Sequence, residues 1–396
     1  MFGGLSMPIE INDKVECTGC GACLNICPQN CISMVTDVSG FAYPKVNLDS
    51  CINCNLCINT CPLIGYQKKM VSNMPNVYAA WSNDSSIRFA STSGGIFSEL
   101  AYTILNKGGK VVGAAYGKDN FVEHKIIEVA QDVDLIRQSK YIQSDIALIF
   151  REIKHELDSG KLILFSGAPC QVAALKKFLH KQYQNLISVD FICRGINSPK
   201  AYRYWLEELE QKFASRVIKV WFKYKKYGWK DSPLCTRVLF ENGRTIIINA
   251  NKNTFMRGYL DGNLYLRPSC SKCKFKGEAR ESDITLADFW SVHEKLDDDQ
   301  GTSLVMINSE VGQMLFDGIK SRVTYHVRPF AEISKGNICF KESERLNPKS
   351  DDFFKRLESQ PFSVLINEFV PVSMKKSARI FLSRCKRAVL KRLGFL

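Results

Sequence analysis

Long apolar runs are missing from this chain of 396 residues. The longest, Lys161-Leu-Ile-Leu-Phe165 and Leu186-Ile-Ser-Val-Asp-Phe-Ile192, are strand-sized, well short of the ~20 apolar residues that a membrane-spanning helix needs. Met1 to Glu10 has no basic start followed by an apolar core, so no export signal is read there. The five histidines (His124, His155, His180, His293 and His326) form no metal-ligand spacing and are taken as structural. Helix-turn-helix, zinc-finger and single-strand-binding patterns are also missing. No nucleic-acid partner is therefore expected, although the net charge is +14.

Cysteine is abundant, and nine of the sixteen fall within the first 61 residues. One run reads Cys17-Thr-Gly-Cys20-Gly-Ala-Cys23-Leu-Asn-Ile-Cys27-Pro28, and the second reads Cys51-Ile-Asn-Cys54-Asn-Leu-Cys57-Ile-Asn-Thr-Cys61-Pro62. Three cysteines at intervals of three set three thiolates around one cubane. The fourth, followed by proline, reaches the other cluster in two-cluster ferredoxins. Cys17, Cys20, Cys23 and Cys61 are thus assigned to one 4Fe–4S cluster, and Cys51, Cys54, Cys57 and Cys27 to a second. Zinc would not account for a Cys-Pro ending both runs, and a disulfide framework does not suit neighbouring Cys-x-x-Cys pairs in a large chain without a secretory signal. Cys31, one turn past Cys27, is read as a spare thiol. Oxygen-sensitive clusters and unpaired thiols point to a cytoplasmic setting.

The charge is unevenly placed. Residues 1–66 hold five acidic and two basic side chains, so the positive excess lies elsewhere. Residues 374–396 contain Lys375, Lys376, Arg379, Arg384, Lys386, Arg387, Lys391 and Arg392 and no acid. A helix over Ser377–Leu396 would gather Phe381, Leu382, Cys385, Val389, Leu393 and Leu396 on one face. Two readings stay open there: peripheral contact with the inner face of a membrane, and packing on the chain's own body.

The repeated runs make residues 1–66 a two-cluster ferredoxin domain, with Phe41 to Asn47 as a hairpin arm. After a linker, strand and helix patterns alternate over residues 77–215. Strands are expected at Val77–Trp81, Lys110–Tyr116, Leu162–Ser166 and Leu186–Cys193. Helices are expected at Phe97–Asn106, Asp145–Leu157, Val172–Leu179 and Tyr202–Phe213. Residues 216–346 are strand-rich, with a hairpin turning at Asn242-Gly243, and residues 347–396 read as a polar, then basic tail. The fold class is α+β to α/β: a ferredoxin-like domain followed by a mixed α/β body.

Three body segments carry candidate chemistry. Ser91-Thr-Ser93-Gly94-Gly95 precedes a helix, where backbone N–H groups can hold a phosphate, though such residues equally serve as a plain cap. Cys170 follows one buried strand, and Cys193 ends the next. Parallel strands joined by a helix release their chains at one sheet edge, and Cys270-Ser-Lys-Cys273 could complete four ligands. Spacing alone leaves two possibilities, a third cluster or free cysteines beside an incomplete zinc hook. Trp221-Phe-Lys-Tyr-Lys-Lys-Tyr-Gly-Trp229 interleaves bases with aromatics, as either a flavin-stacking surface or an amphipathic strand.

Taken in order, several segments resemble the beta-subunit family of coenzyme F420 hydrogenases and dehydrogenases. They are Ser91–Gly95, Ser139-Lys-Tyr-Ile-Gln-Ser144, Gly167-Ala-Pro-Cys-Gln171, Asp190-Phe-Ile-Cys-Arg-Gly195, Phe222 through Trp229, Cys270-Ser-Lys-Cys273, Asp283-Ile-Thr-Leu-Ala-Asp-Phe-Trp290 and Gly301-Thr-Ser303. The likeness spans about residues 10–340. It implies an oxidoreductase with FAD and a third 4Fe–4S cluster in the body, the latter held by Cys170, Cys193, Cys270 and Cys273. Ser91, Ser93, Gly94, Gly95, Lys140 and Lys225 would contact the cofactor. Electrons would pass between a small-molecule hydride carrier, F420 or another, and a redox partner protein or ferredoxin. The chain departs from the family pattern at Cys193-Arg194-Gly195, at Ala168 and at Phe222-Lys-Tyr-Lys225, which leaves the carrier open. A non-catalytic electron-transfer subunit and a ferredoxin-fed reductase are the alternatives.

Overall fold

The computed structural model describes residues 8–372, except residues 69, 72–73 and 231–234, together with Val389. The expected helix over Ser377–Leu396 therefore lies, Val389 apart, outside the described residues.

The amino-terminal module is built twice over. Two short helices, Ala22–Ile26 and Leu56–Thr60, each follow a residue in the left-handed region, Gly21 at φ 72° and Asn55 at φ 59°. Antiparallel strands β1 (Ile32–Thr36) and β2 (Ala42–Val46) form the arm between them. Cys27 and Cys61 end the two helices in extended conformation. The following proline disfavours the helical region for the residue before it, so each fourth thiol is turned away from its own run.

The body is organised on a sheet of nine strands. Its members are β3 (Asn76–Ser82), β4 (Lys110–Tyr116), β5 (Val122–Ile127), β6 (Ser144–Asp145), β7 (Ile163–Ser166), β8 (Leu186–Phe191), β12 (Ile284–Asp288), β13 (Ser303–Ile307) and β14 (Val323–Arg328), in the order β14-β3-β13-β12-β8-β7-β4-β5-β6. The neighbours β4, β7, β8 and β12 run parallel. Toward β14 the pairing becomes antiparallel. Strands on both sides of residue 215 thus share one sheet. The intervening chain adds a small antiparallel sheet of β9 (Val217–Trp221), β10 (Thr236–Phe240) and β11 (Thr245–Ile248).

The central strands are apolar on both faces because both are covered. Val111 and Leu164 face the helix Ile96–Asn106 through Leu100 and Ile104. Their neighbours Val112, Ile163 and Phe165 face Ile149–Asp158 and Pro169–Leu179 through Phe150, Ile153, Val172 and Leu175. Part of the segment read as tail belongs to the body. Helices Ser350–Arg356 and Phe362–Phe369 bury Phe353, Phe354, Phe362, Leu365 and Ile366 in the cluster that contains Trp205, Phe222 and Tyr265. Among the described residues no helix is long and apolar enough to cross a membrane.

Candidate functional site

The crossed arrangement of the first eight cysteines appears directly. Cys20 and Cys23 lie close enough to Cys17 and Cys61 for those charges to act on them, and burial pushes the Cys20 thiol up to about 12. Cys27 joins Cys51, Cys54 and Cys57 around a separate recess. Cys54 is the exposed member. Cys31 is not remote from this second set: its sulfur is 3.3 Å from that of Cys27, and it lines the same recess. Four ligands are already supplied without it. Cys31→Ser is therefore expected to leave iron per chain unchanged in a colorimetric assay, whereas loss of about four iron would make Cys31 a ligand in place of a neighbour.

The four body cysteines come together. Cys170 lies in the first turn of Pro169–Leu179, after β7, and Cys193 lies two residues past β8. Because β7 and β8 are parallel neighbours, both residues emerge at the same sheet edge. Cys270 and Cys273 arrive on the turn Pro268–Lys272. All four, with Cys61, line one cavity of about 380 Å³. Burial pushes the Cys193 thiol up to about 12 and Cys270 to about 11, and Cys170 is raised as well, by burial and then by the charges of Cys193, Cys273, Cys270 and Cys20. Buried thiols such as Cys170, Cys193 and Cys270 become thiolates only beside strong positive charge, which bound metal provides. Among the described residues no group of three or more His, Cys, Asp or Glu could hold a single metal ion; the thiols ring a volume rather than converging on a point.

The loops that carry these thiols are fixed by buried polar contacts. Gln171 accepts from the Ala168 N–H (2.9 Å) and donates to Ser144 Oγ (3.0 Å), which lies 2.9 Å from His124 Nδ1. Lys276 donates to the Cys193 and Cys339 carbonyls at 2.6 and 2.8 Å. Asp190, three residues before Cys193, is fully buried and pairs with Arg280 at 3.1 Å. Arg280 also donates to the Phe191 and Phe275 carbonyls, joining the two thiol-bearing segments.

The residues nominated for flavin are brought together, but their polar atoms are engaged by the protein. Ser91 donates to the Ile87 carbonyl and Ser93 to that of Thr302, both at 2.8 Å. Lys225 donates to the carbonyls of Arg88, Ser93 and Gln300. Burial beside Arg88 pushes its ammonium down to about 7. Lys140, likewise lowered to about 7 by burial, donates to the Arg137 and Gln138 carbonyls. A Cβ on Gly94 would stand 2.3 Å from the Ala80 carbonyl and 2.8 Å from Ser303 N. These side chains shape a loop and do not fit as free phosphate donors. What remains for an anion is the backbone at the start of Ile96–Asn106, beyond Gly95 at φ 90°.

Two residues at the module–body seam were not singled out from sequence. Arg151 donates to the carbonyls of Asn25 (2.6 Å), Leu24 (3.3 Å) and Cys27 (2.8 Å) and to Asn30 Oδ1 (2.8 Å). Arg267 grips the Cys17 loop. For Arg267 there was a signal, a basic residue three positions before Cys270. For Arg151 there was none beyond an ordinary helical arginine.

These sites define an iron–sulfur protein in which a ferredoxin-type dicluster module is seated on a thiol-bearing α/β body. Residues 16–63 match the family model described as a 4Fe-4S dicluster domain. Residues 160–333 match the model for the carboxy-terminal part of the coenzyme F420 hydrogenase/dehydrogenase beta subunit. The chain is thus an iron–sulfur protein of electron-transfer, oxidoreductase-like type, related over this segment to that beta subunit. Among solved structures it is similar to a chain of the F420-reducing [NiFe] hydrogenase complex from Methanosarcina barkeri, studied by xenon derivatization. Identity is 17%, the TM-score is 0.45, and the match covers 76% of this chain and 94% of that one. No curated protein matches the chain.

Proposed function

We propose that the protein is a three-cluster flavoprotein oxidoreductase that moves electrons between a small-molecule hydride carrier and a redox partner protein. The observation that carries this reading is the meeting of Cys170, Cys193, Cys270 and Cys273 around one cavity whose wall also includes Cys61 of the first amino-terminal set. A cubane supplies one-electron storage, with its potential set by charge, hydrogen bonds and exposure. The chain's own part is to hold three such sets of thiols in sequence. The body set adjoins Cys61 and Cys20, the crossed fourth cysteines join the two amino-terminal sets, and exposed Cys54 presents the far end to a partner.

FAD is proposed as the two-electron partner of the body set, on the strength of the family relation. Its phosphate would be received by backbone N–H groups at the start of Ile96–Asn106. The aromatic lining of Phe89, Trp221 and Tyr224 offers edge-to-face packing nearby. F420 and other reductants are the proposed carrier class. The test is anaerobic purification with iron, sulfide and flavin quantification, followed by reduction with reduced F420, NADH or reduced ferredoxin. Iron and sulfide near twelve each with about one FAD, and reduction by at least one donor, support the reading. Eight iron, no flavin and no donor response would reduce the protein to a passive dicluster carrier.

A further inference from the structure

A buried arginine joins the two thiol-bearing regions. Arg267 is 1% exposed, and its guanidinium is divided between the amino-terminal module and Gln143 of the body. Nε donates to the Cys17 carbonyl at 2.9 Å, and Nη1 to Gln143 Oε1 at 2.8 Å. Nη2 donates to the Ala42 carbonyl at 3.0 Å and lies 3.6 Å from the Cys17 sulfur. The same group stacks over Tyr43, 4.4 Å from the ring centroid. Gln143 in turn donates to the Gly19 carbonyl at 3.2 Å. Gly19 sits at φ 65°, where a Cβ would meet both side chains within 3 Å, so the loop between Cys17 and Cys20 is covered by this pair.

These partners include carbonyls, an amide oxygen and a sulfur, and no carboxylate. A buried cation without a bonded counter-ion is costly; the carboxylates of Asp13 and Glu16 line the same cavity without bonding it, and the anionic atom it does touch is the Cys17 sulfur. Cys17 is in contact, and Arg267 also acts on Cys270 from the body set. Positive charge and N–H···S hydrogen bonding both favour the reduced, more negative form of an iron–sulfur cluster. We propose that Arg267, oriented by Gln143, is a positioning residue that raises the reduction potential of the cluster held by Cys17, Cys20, Cys23 and Cys61. That cluster would then draw electrons across the seam. The step is transfer of one electron from the cluster proposed at Cys170, Cys193, Cys270 and Cys273, which is oxidised, to this cluster, which is reduced, with no bond made or broken and no proton taken up. The inference rests on Cys17 being a ligand of that cluster.

The test is an anaerobic redox titration of the full chain, followed by EPR, for Arg267→Met, Arg267→Lys and Gln143→Glu. In Arg267→Met one cluster is expected to become harder to reduce, by about tenfold in its equilibrium constant, or about 59 mV for one electron. Arg267→Lys should recover most of that shift. Gln143→Glu keeps the shape, adds a negative charge beside the guanidinium, and should shift the same cluster in the same direction. It carries the test if Arg267→Met loses iron. Unchanged potentials in iron-replete Gln143→Glu and Arg267→Lys, with Arg267→Met either unchanged or devoid of the cluster, would reduce Arg267 to a structural clamp and overturn the proposal. Cys17→Ser separates the premise: if it keeps full iron, the ligand assignment fails rather than the role of the arginine.

Discussion

Cys273→Ser is expected to lower the iron of the anaerobically purified protein from about twelve to about eight per chain, with sulfide falling in parallel. A serine oxygen is a hard ligand and a poor replacement for thiolate. The amino-terminal clusters should survive, because their eight thiols form a separate module with its own buried contacts among Ile9, Cys23, Cys27, Ile32 and Cys57. On the proposed route through the body set, flavin reduction by an external donor should persist while electron delivery to the amino-terminal clusters slows by orders of magnitude. Twelve iron retained in the variant would exclude Cys273 as a ligand, and eight in the parent would exclude the third cluster.

Gly94→Ala is expected to remove FAD while sparing the amino-terminal iron. The added methyl would sit 2.3 Å from the Ala80 carbonyl and 2.8 Å from Ser303 N, backbone atoms of β3 and β13 held within the sheet. Neither can yield cheaply, so the loop must lift off the strands at a cost of about 1–3 kcal/mol or more. The start of Ile96–Asn106 moves with it. Flavin absorbance per folded chain, with thermal unfolding as a control, reads the outcome. Stoichiometric flavin in the folded variant would place the cofactor elsewhere on the body. The effect is steric rather than electrostatic, so alanine should be as damaging as a charged residue.

The cysteine spacings made the amino-terminal module legible because a repeated ligand pattern constrains local geometry strongly: three thiols per turn-sized run and a proline to redirect the fourth. The alternating body was equally open to reading where strands are apolar on both faces. Lys110–Tyr116 and the hairpin around Asn242-Gly243 stand where expected. Helix starts were placed less well. The expected helix from Asp145 begins at Ile149, because Ser144–Asp145 pairs with β5. The strand Val122–Ile127 was missed, since Glu123, His124 and Lys125 interrupt its apolar pattern. In the strand-rich stretch after residue 215, the strand Val217–Trp221 ends where the chain turns to place Lys223 against Asp288 and over the Trp290 ring.

The candidate site divides the same way. Spacing and the resemblance nominated the cysteines as ligands, and the fold gathers Cys170, Cys193, Cys270 and Cys273 around one cavity. The hydroxyls and lysines of the Ser91–Gly95 neighbourhood looked like phosphate ligands because sequence shows a donor without showing its acceptor. In the fold those acceptors are carbonyls of Arg88, Ser93, Gln300 and Thr302. The role of Arg267 was harder to read, for the converse reason. Its importance lies in contacts with Cys17 and Ala42, more than two hundred residues away in the chain.

The most direct test of the account is iron-edge anomalous diffraction from anaerobically grown crystals of the full chain. Three separate iron sites are expected, the third among Cys170, Cys193, Cys270 and Cys273 and adjacent to the cluster assigned to Cys17, Cys20, Cys23 and Cys61. Two sites, both in the amino-terminal module, with the body cavity free of iron, would contradict it.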